Sequence, residues 1–461
     1  MEEKKAWLGY SSDDDLRIER LMESYKAFIT VSKTERKCVE NAVMMAEAAG
    51  YRDLNEIIRN GESVKAGDRI YAVGMKKTLA LFQIGTEPLE NGMNILGAHI
   101  DSPRIDVKQV PLYEDSKTEF AYFDTHYYGG IRKYQWLALP LAMYGVIVKK
   151  DGTVMDVSIG DGDEDPVLFI SDLLPHLAHK SAGKPISEVF EGEKLDVLIG
   201  SRPLPDEEKD ATKARILKFF KDRYDVEEDD FLSAELEIVP AGEARDAGLD
   251  RSMILGYGQD DRVCAYTSIA ALFDTKESRR TSVCLLTDKE EIGSVGATGA
   301  QSMFFENAVA EILSAMGKES DLAVRRALSR SRMLSSDVSA AFDPLYASVS
   351  EPKNSAYFGK GVCFNKFTGR GGKSGSNDAN AEYMALMRKI MEDNGVRYQT
   401  AELGRVDEGG GGTIAYISAK YGMEVIDSGV PVLSMHAPWE TCSKSDIYEA
   451  YKAYKAFLKD A

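Results

Sequence analysis

The strongest constraint on the fold is a repeated format in which an apolar stretch of strand length runs straight into an imidazole or a carboxylate. NILGAHID leads to His99 and Asp101, SVCLLTD to Asp288 with Glu290 and Glu291 beyond it, MLSSDVSAAF to Asp337, and VLSMHAPWE to His436. Between them lie helical patterns such as DDRVCAYTSIAALFD, a stretch starting at Ser302, and NAEYMALMRKIMEDNG. Helices alternating with short apolar strands predict an α/β sandwich. In an open α/β sheet, ligands bind in crevices at the strand ends, so residues far apart in sequence can converge there.

The organisation along the chain follows the same texture. Two amphipathic helices are predicted from Asp13 to Gly50, the second opened by Ser32 or Thr34. RIYAVGMKKTLALFQIG and NILGAHID read as strands. From about Val107 to Val239 short strand candidates, LAMYGVIVKK and GTVMDVSI among them, alternate with DGT, GDGDEDP and LPDEEKD turns and one helix around Ala211 to Phe220. This predicts a mostly β domain at 107–244, inserted into an α/β domain made of 1–106 and 245–461.

Five elements each offer one ligand: His99, Asp260 of GYGQDDR, Glu291, Asp337 and His436. Three of these elements have plainer readings. His99 could cap a loop, Asp260 could stabilise a helix N-terminus, and the glutamates could be solvated. Taken together, two imidazoles and three carboxylates suit two divalent, zinc-like ions about 3.5 to 4 Å apart, with one carboxylate bridging. Asp101, two residues from His99 on an extended segment, can fix the imidazole tautomer. Adjacent glutamates point in different directions, which frees Glu290 as a base.

Other chemistries are disfavoured. With 57 basic against 75 acidic residues the formal charge is -18, which repels nucleic acid and anionic membranes. The five cysteines are scattered with no C-x-x-C pair, so neither a disulfide framework nor a thiolate zinc site is expected. The acidic start MEEKKAWLGYSSDDD does not read as a secretory signal, and a cytoplasmic setting is expected. The apolar run from Trp136 to Val148 is shorter than the roughly 20 residues a spanning helix needs. H-L-A-H at His176 to His179 lacks the glutamate of a zincin. GRGGKSGS carries Phe367 where a P-loop needs glycine, and GSVGATG is not spaced as a dinucleotide fingerprint. The EGGGGT run ending at Thr413 allows backbone to approach a ligand or a close neighbour, or simply forms a tight loop.

The ordered set GAHIDSPR, GQDDR, DKEEIGS, SSDVSAA, DEGGGGTIA and SMHAPWE resembles the aspartyl aminopeptidase (aminopeptidase I) family of dinuclear zinc exopeptidases over nearly the whole chain. The resemblance implies a zinc-exopeptidase-like α/β/α catalytic domain with an inserted β-rich dimerisation domain, and a homododecamer built from dimers. It implies two divalent ions per subunit, zinc with cobalt or manganese as substitutes. His99, Asp260 and Asp337 would hold one ion; Asp260, Glu291 and His436 would hold the other. Glu290 would be the general base and Asp101 would orient His99. A histidine reaching a neighbouring subunit is implied, with His176 the candidate and His179 its rival. Lys373 or Arg370, in TGRGGKSGSND, would face an acidic substrate side chain. GQDDR departs from the L-D-N form of eukaryotic relatives, which weakens the inference of a strict acidic preference.

The expected function is therefore release of single N-terminal residues, acidic ones foremost, from peptides with a free N-terminus. The rivals are a related dinuclear zinc hydrolase, such as a deacetylase or carboxypeptidase, and a catalytically inactive assembly protein of the same fold.

Overall fold

The computed structural model describes residues 5–162, 164–181 and 183–461, so residues 1–4 of the acidic start and Asp163 of the GDGDEDP turn lie outside the description. The chain separates into two units, one of Met1–Asp101, Ala244–Met435 and Glu440–Ala461, the other of Ser102–Glu243 and His436–Trp439.

The first unit is built on a sheet of nine strands among the described residues, in the order Arg52–Asp53, Arg69–Gly74, Thr78–Gln83, Thr281–Thr287, Met93–His99, Arg332–Ser335, Glu424–Gly429, Val362–Asn365 and Tyr398–Thr400. Its four central strands, from Thr281–Thr287 to Glu424–Gly429, are mutually parallel. Thr287 lies opposite His99, and Ser335 lies between Gly97 and Asp427. The carboxyl ends of these strands therefore leave the sheet along one edge, where open α/β sheets place their chemistry.

Strand side chains alternate between faces, and the core divides accordingly. Leu79, Leu81, Leu96, Ala98, Cys284, Leu286 and Leu334 belong to one hydrophobic cluster. Their neighbours Ala80, Phe82, Ile95, Val283, Leu285 and Met333 belong to the other. Helices Ser12–Val31, Glu35–Ala48, Gln259–Phe273, Ala381–Asp393 and Lys444–Asp460 supply the first cluster; Phe304–Ala315 and Asp321–Ser329 supply the second. The result is the predicted α/β sandwich. Helix Ser12–Val31 opens with a capping box of Ser11 and Asp14, and Thr34 accepts a hydrogen bond from the Lys37 amide to open Glu35–Ala48. Gln259–Phe273 buries nearly every side chain, as a helix in mid-layer must.

MLSSDVSAAF, which reads as one apolar strand, is broken. Arg332–Ser335 belongs to the large sheet, whereas Ser339–Ala340 joins a five-stranded sheet with Arg245–Ala247, Met253–Gly256, Glu440–Ser443 and Pro431–Leu433. The Ser336 amide donates to the Gly97 carbonyl at 2.5 Å as the chain turns. The turn packs so closely on Gly429 that a Cβ there would lie 1.7 Å from the Asp337 carbonyl oxygen. His436 follows a strand of this smaller sheet and groups with the second unit.

The second unit carries an antiparallel sheet of six strands among the described residues, ordered Val154–Ile159, Leu141–Val148, Ala234–Pro240, Arg104–Glu114, Ala121–Tyr128 and Val197–Gly200. Helix Ala211–Tyr224 packs on it through Phe220, whose ring lies 6.1 Å from Phe123 and 5.1 Å from Phe231. That helix has no side-chain cap of its own; Glu114 of the sheet accepts from the Thr212 and Lys213 amides at 2.8 and 2.9 Å. Among the described residues no helix is long and apolar enough to cross a membrane.

Candidate metal centre

His99 ends its strand almost fully buried, and both of its ring nitrogens face oxygen. Nδ1 lies 3.1 Å from the Asp101 carbonyl oxygen and 3.4 Å from the Asp101 carboxylate. Nε2 lies 3.1 Å from Asp260 Oδ1 and 3.9 Å from Asp337 Oδ1. A carbonyl can only accept, so Nδ1 carries a proton, while Nε2 faces two carboxylates, donating to Asp260 when the ring is charged and offering its lone pair only where a cation takes that proton's place. Burial by itself would disfavour the imidazolium, but the Asp101 and Asp260 hydrogen bonds and the Asp337 and Glu290 charges together push its pKa well up.

The carboxylates are in the converse position. Burial, followed by the neighbouring Glu290, Asp260 and Asp427 charges and against the His99 attraction, holds Asp337 well above the usual carboxylate range. Asp261 is raised by burial and by Asp337. Crowded, buried carboxylates around an imidazole call for a cation. The ligand atoms are arranged for one. Those of His99, Asp260 and Glu291 lie within 4.8 Å of one another, as do those of His99, Asp261 and Asp337. Ligands about 2.0–2.2 Å from a zinc ion lie within about 4.4 Å of one another, so the residues fit a divalent ion with little rearrangement.

Asp260 does not serve as a helix N-cap. That position is Gly258, with no side-chain cap, and Asp260 and Asp261 depart from helical geometry inside the run that follows. Their peptide is cis. The Glu290–Ile292 turn is held from both sides. Lys289 and Gly293 take left-handed backbone conformations that reverse the chain, and the Asp101 carboxylate accepts from the Glu290 and Glu291 amides at 3.1 and 3.2 Å. Asp101 therefore connects two elements: its carbonyl orients His99, and its carboxylate fixes the glutamates. Behind the turn, Asp288 accepts from the Thr298 hydroxyl at 2.5 Å. Burial, with Glu35 and Asp101 nearby, raises its pKa to about 6.

His436 Nδ1 lies 3.0 Å from the Gly130 carbonyl within the second unit. His176 and His179 are both exposed on the short helix Pro175–Ser181. Lys373 pairs with Asp378 at 3.0 Å and lies over the Phe367 ring at 3.8 Å. Arg370 occupies the same loop, which packs on the EGGGGT run: a Cβ at Gly410 would lie 2.6 Å from Arg370 Cα. The close neighbour expected for those glycines is thus another loop of this chain. Thr413, at the end of the run, donates to Asp427 at 2.7 Å.

Sequence reasoning placed Asp261 beside Asp260 at a helix mouth without a ligand role, and passed over Glu440, whose carboxylate accepts from the Asp260 amide, and Gln259, which donates to the Glu440 carbonyl. Their only signal was membership of the GQDDR and SMHAPWE motifs.

The sequence model of the aminopeptidase I zinc metalloprotease family (M18) matches residues 28–458. A Clostridium acetobutylicum protein named Probable M18 family aminopeptidase 1 is 57% identical over 460 residues, covering 100% of this chain and 98% of that one. Crystal structures of aminopeptidase I from Clostridium acetobutylicum (TM-score 0.93, 55% identity, 100% and 99% coverage) and of an M18 aminopeptidase from Thermotoga maritima (TM-score 0.94, 42% identity, 100% of both chains) share the fold. The S. cerevisiae mApe1 dodecamer is a more distant likeness, of fold alone, at TM-score 0.77 and 21% identity over 94% of this chain and 95% of that one.

Proposed function

Because the chain belongs to the aminopeptidase I (M18) family of zinc metalloproteases and is therefore a metal-dependent aminopeptidase, we propose that it releases single acidic residues from the N-termini of peptides at a two-metal centre. The observation that carries this reading is the convergence of His99, Asp260, Glu291 and Asp337 at one edge of the central sheet. His99, Asp260 and Asp337 are proposed ligands of one ion, and Asp260, Glu291 and His436 of the other. The part of His436 rests on its motif alone. When bound, the ions polarise the scissile carbonyl and acidify the attacking water.

The chain's own residues do the rest. Glu290 takes the proton of the attacking water and delivers it to the leaving amine nitrogen. Its fixed backbone, tied to Asp101, supports that assignment. The burial of His99 and its neighbours excludes bulk water and strengthens each electrostatic contact. His176 reaches the site of a neighbouring subunit, an arrangement favoured by its exposure on a segment where Leu173, Leu174 and Leu177 are also exposed. The residues 107–244 serve as the dimerisation domain, and dimers assemble into a dodecamer like the distant mApe1 relative. Lys373, with Arg370, faces the acidic side chain of the substrate, exchanging its pairing with Asp378. The protein acts in the cytoplasm.

Metal analysis combined with aminoacyl substrates differing only at the first residue tests this reading. Zinc in the protein and higher kcat/KM for Asp and Glu are expected. Equal rates across the panel would reject the acidic preference. Cleavage of N-acetylated peptides as fast as free ones would reject an aminopeptidase pocket.

A further inference from the structure

We propose that Glu440 and Gln259 are positioning residues that hold Asp260 in its metal-facing conformation, an inference that rests on reading Asp260 as a metal ligand. The first amides of a helix have no partner within it, and here they are buried. Gly258 at the cap supplies no side chain, yet the buried Asp260 amide is satisfied: it donates to Glu440 Oε2 at 3.0 Å. Glu440 is 1% exposed and takes no part in the proton transfers assigned to Glu290.

The bond is answered from the other side. Gln259 Nε2 donates to the Glu440 carbonyl at 2.6 Å and to the Ile254 carbonyl at 3.1 Å. Its Oε1 accepts from the Tyr25 hydroxyl at 3.2 Å. So the side chain of 440 holds the main chain of 260, while the side chain of 259 holds the main chain of 440. Glu440 is in turn locked opposite Gly256 in the five-stranded sheet. With both ends of this staple fixed, Asp260 keeps φ -79° and ψ 106° instead of continuing the helix, and its carboxylate meets His99 Nε2. Arg262, two residues on, donates from Nε to the Ile100 carbonyl at 3.1 Å and ties the same turn to the strand end beside His99. A helix start needs a cap only for stability; a reciprocal, fully buried staple fixes direction as well.

The test is zinc retention by the purified holoenzyme against graded chelator, read alongside kcat/KM and urea unfolding. Glu440→Met keeps the volume and removes the acceptor; it should lose zinc about 10- to 100-fold more readily, the usual scale for residues that hold ligands. Glu440→Gln keeps an acceptor oxygen and should recover most of that retention. Equal zinc retention by Glu440→Met and the parent overturns the proposal, as does a Gln variant as impaired as the Met variant. A drop in urea stability with unchanged zinc retention also overturns it, because that is plain scaffolding. Should Glu440→Met fail to fold, Tyr25→Phe decides. It removes only the hydroxyl bond to Gln259, so zinc loss about two- to fivefold easier is expected, and unchanged retention is contrary. Asp260→Asn separates the two layers. If it leaves zinc in place, the ligand reading itself fails; if it releases zinc while the Glu440 and Tyr25 variants do not, only the positioning role fails.

Discussion

His99 and His176 stand at opposite extremes of the same chain. His99 is buried, with each ring nitrogen matched to named oxygens; Asp101 ties its strand end to the Glu290–Ile292 turn, and Glu440 with Gln259 ties the Asp260 turn to the five-stranded sheet. His176 lies on an exposed stretch of the second unit that buries none of its own residues. A side chain held on every side is fixed by this chain alone. One left in solvent can act precisely only if another surface meets it. The first unit should therefore respond to substitution through metal and geometry, the second through assembly.

The largest expected effect is at Asp260. Asp260→Ala should release zinc and reduce hydrolysis to background, measured by metal analysis of the purified variant beside a peptide assay. Full zinc content and activity would break the comparison at its stronger end. Glu290→Gln comes next, with a loss of order 10² to 10⁴ in kcat and zinc retained. An undiminished rate with metal bound would mean that another group carries the proton. His176→Ala should lower kcat by about 10², the scale for loss of one group supporting transition-state charge, with zinc content and unfolding unchanged. His179→Ala should leave the rate intact; the reverse ranking would exchange their roles.

The smallest effect sharpens the electrostatic half of the comparison. Burial, against the hydrogen bond from Thr413, raises the Asp427 pKa to about 6 from 3.8. A raised folded-state value means that its contribution to stability is whole below about pH 3.8 and is lost as the pH climbs through 6. Asp427→Asn keeps the Oδ1 acceptor for Thr413 and removes the charge. It should gain up to about 3 kcal/mol over the parent above pH 7, a gain that disappears near pH 4. Urea unfolding at the two pH values measures it, and a pH-independent difference would refute the cause given.

The α/β class was legible because strand and helix periods are written into the chain: Leu96 and Ala98 face one layer, Ile95 the other. The residues His99, Asp260, Glu291 and Asp337 could be named because each ended or opened a regular element. What lay hidden was contact across long separations. Nothing in MLSSDVSAAF announced that Ser336 would bond to Gly97 and divert the strand into a second sheet. Nor could spacing reveal that Glu440 meets the Asp260 amide, 180 residues away, or that Asp101 spends its carboxylate on two backbone amides as well as facing His99. Polar residues satisfied by tertiary contacts have no local period to betray them.

Anomalous scattering at the zinc edge from crystals of the purified, active protein tests the central claim most directly. Peaks about 2.0–2.2 Å from His99 Nε2 and from oxygens of Asp260, Glu291 and Asp337 are expected. An active crystal with no peak among those side chains would contradict the account.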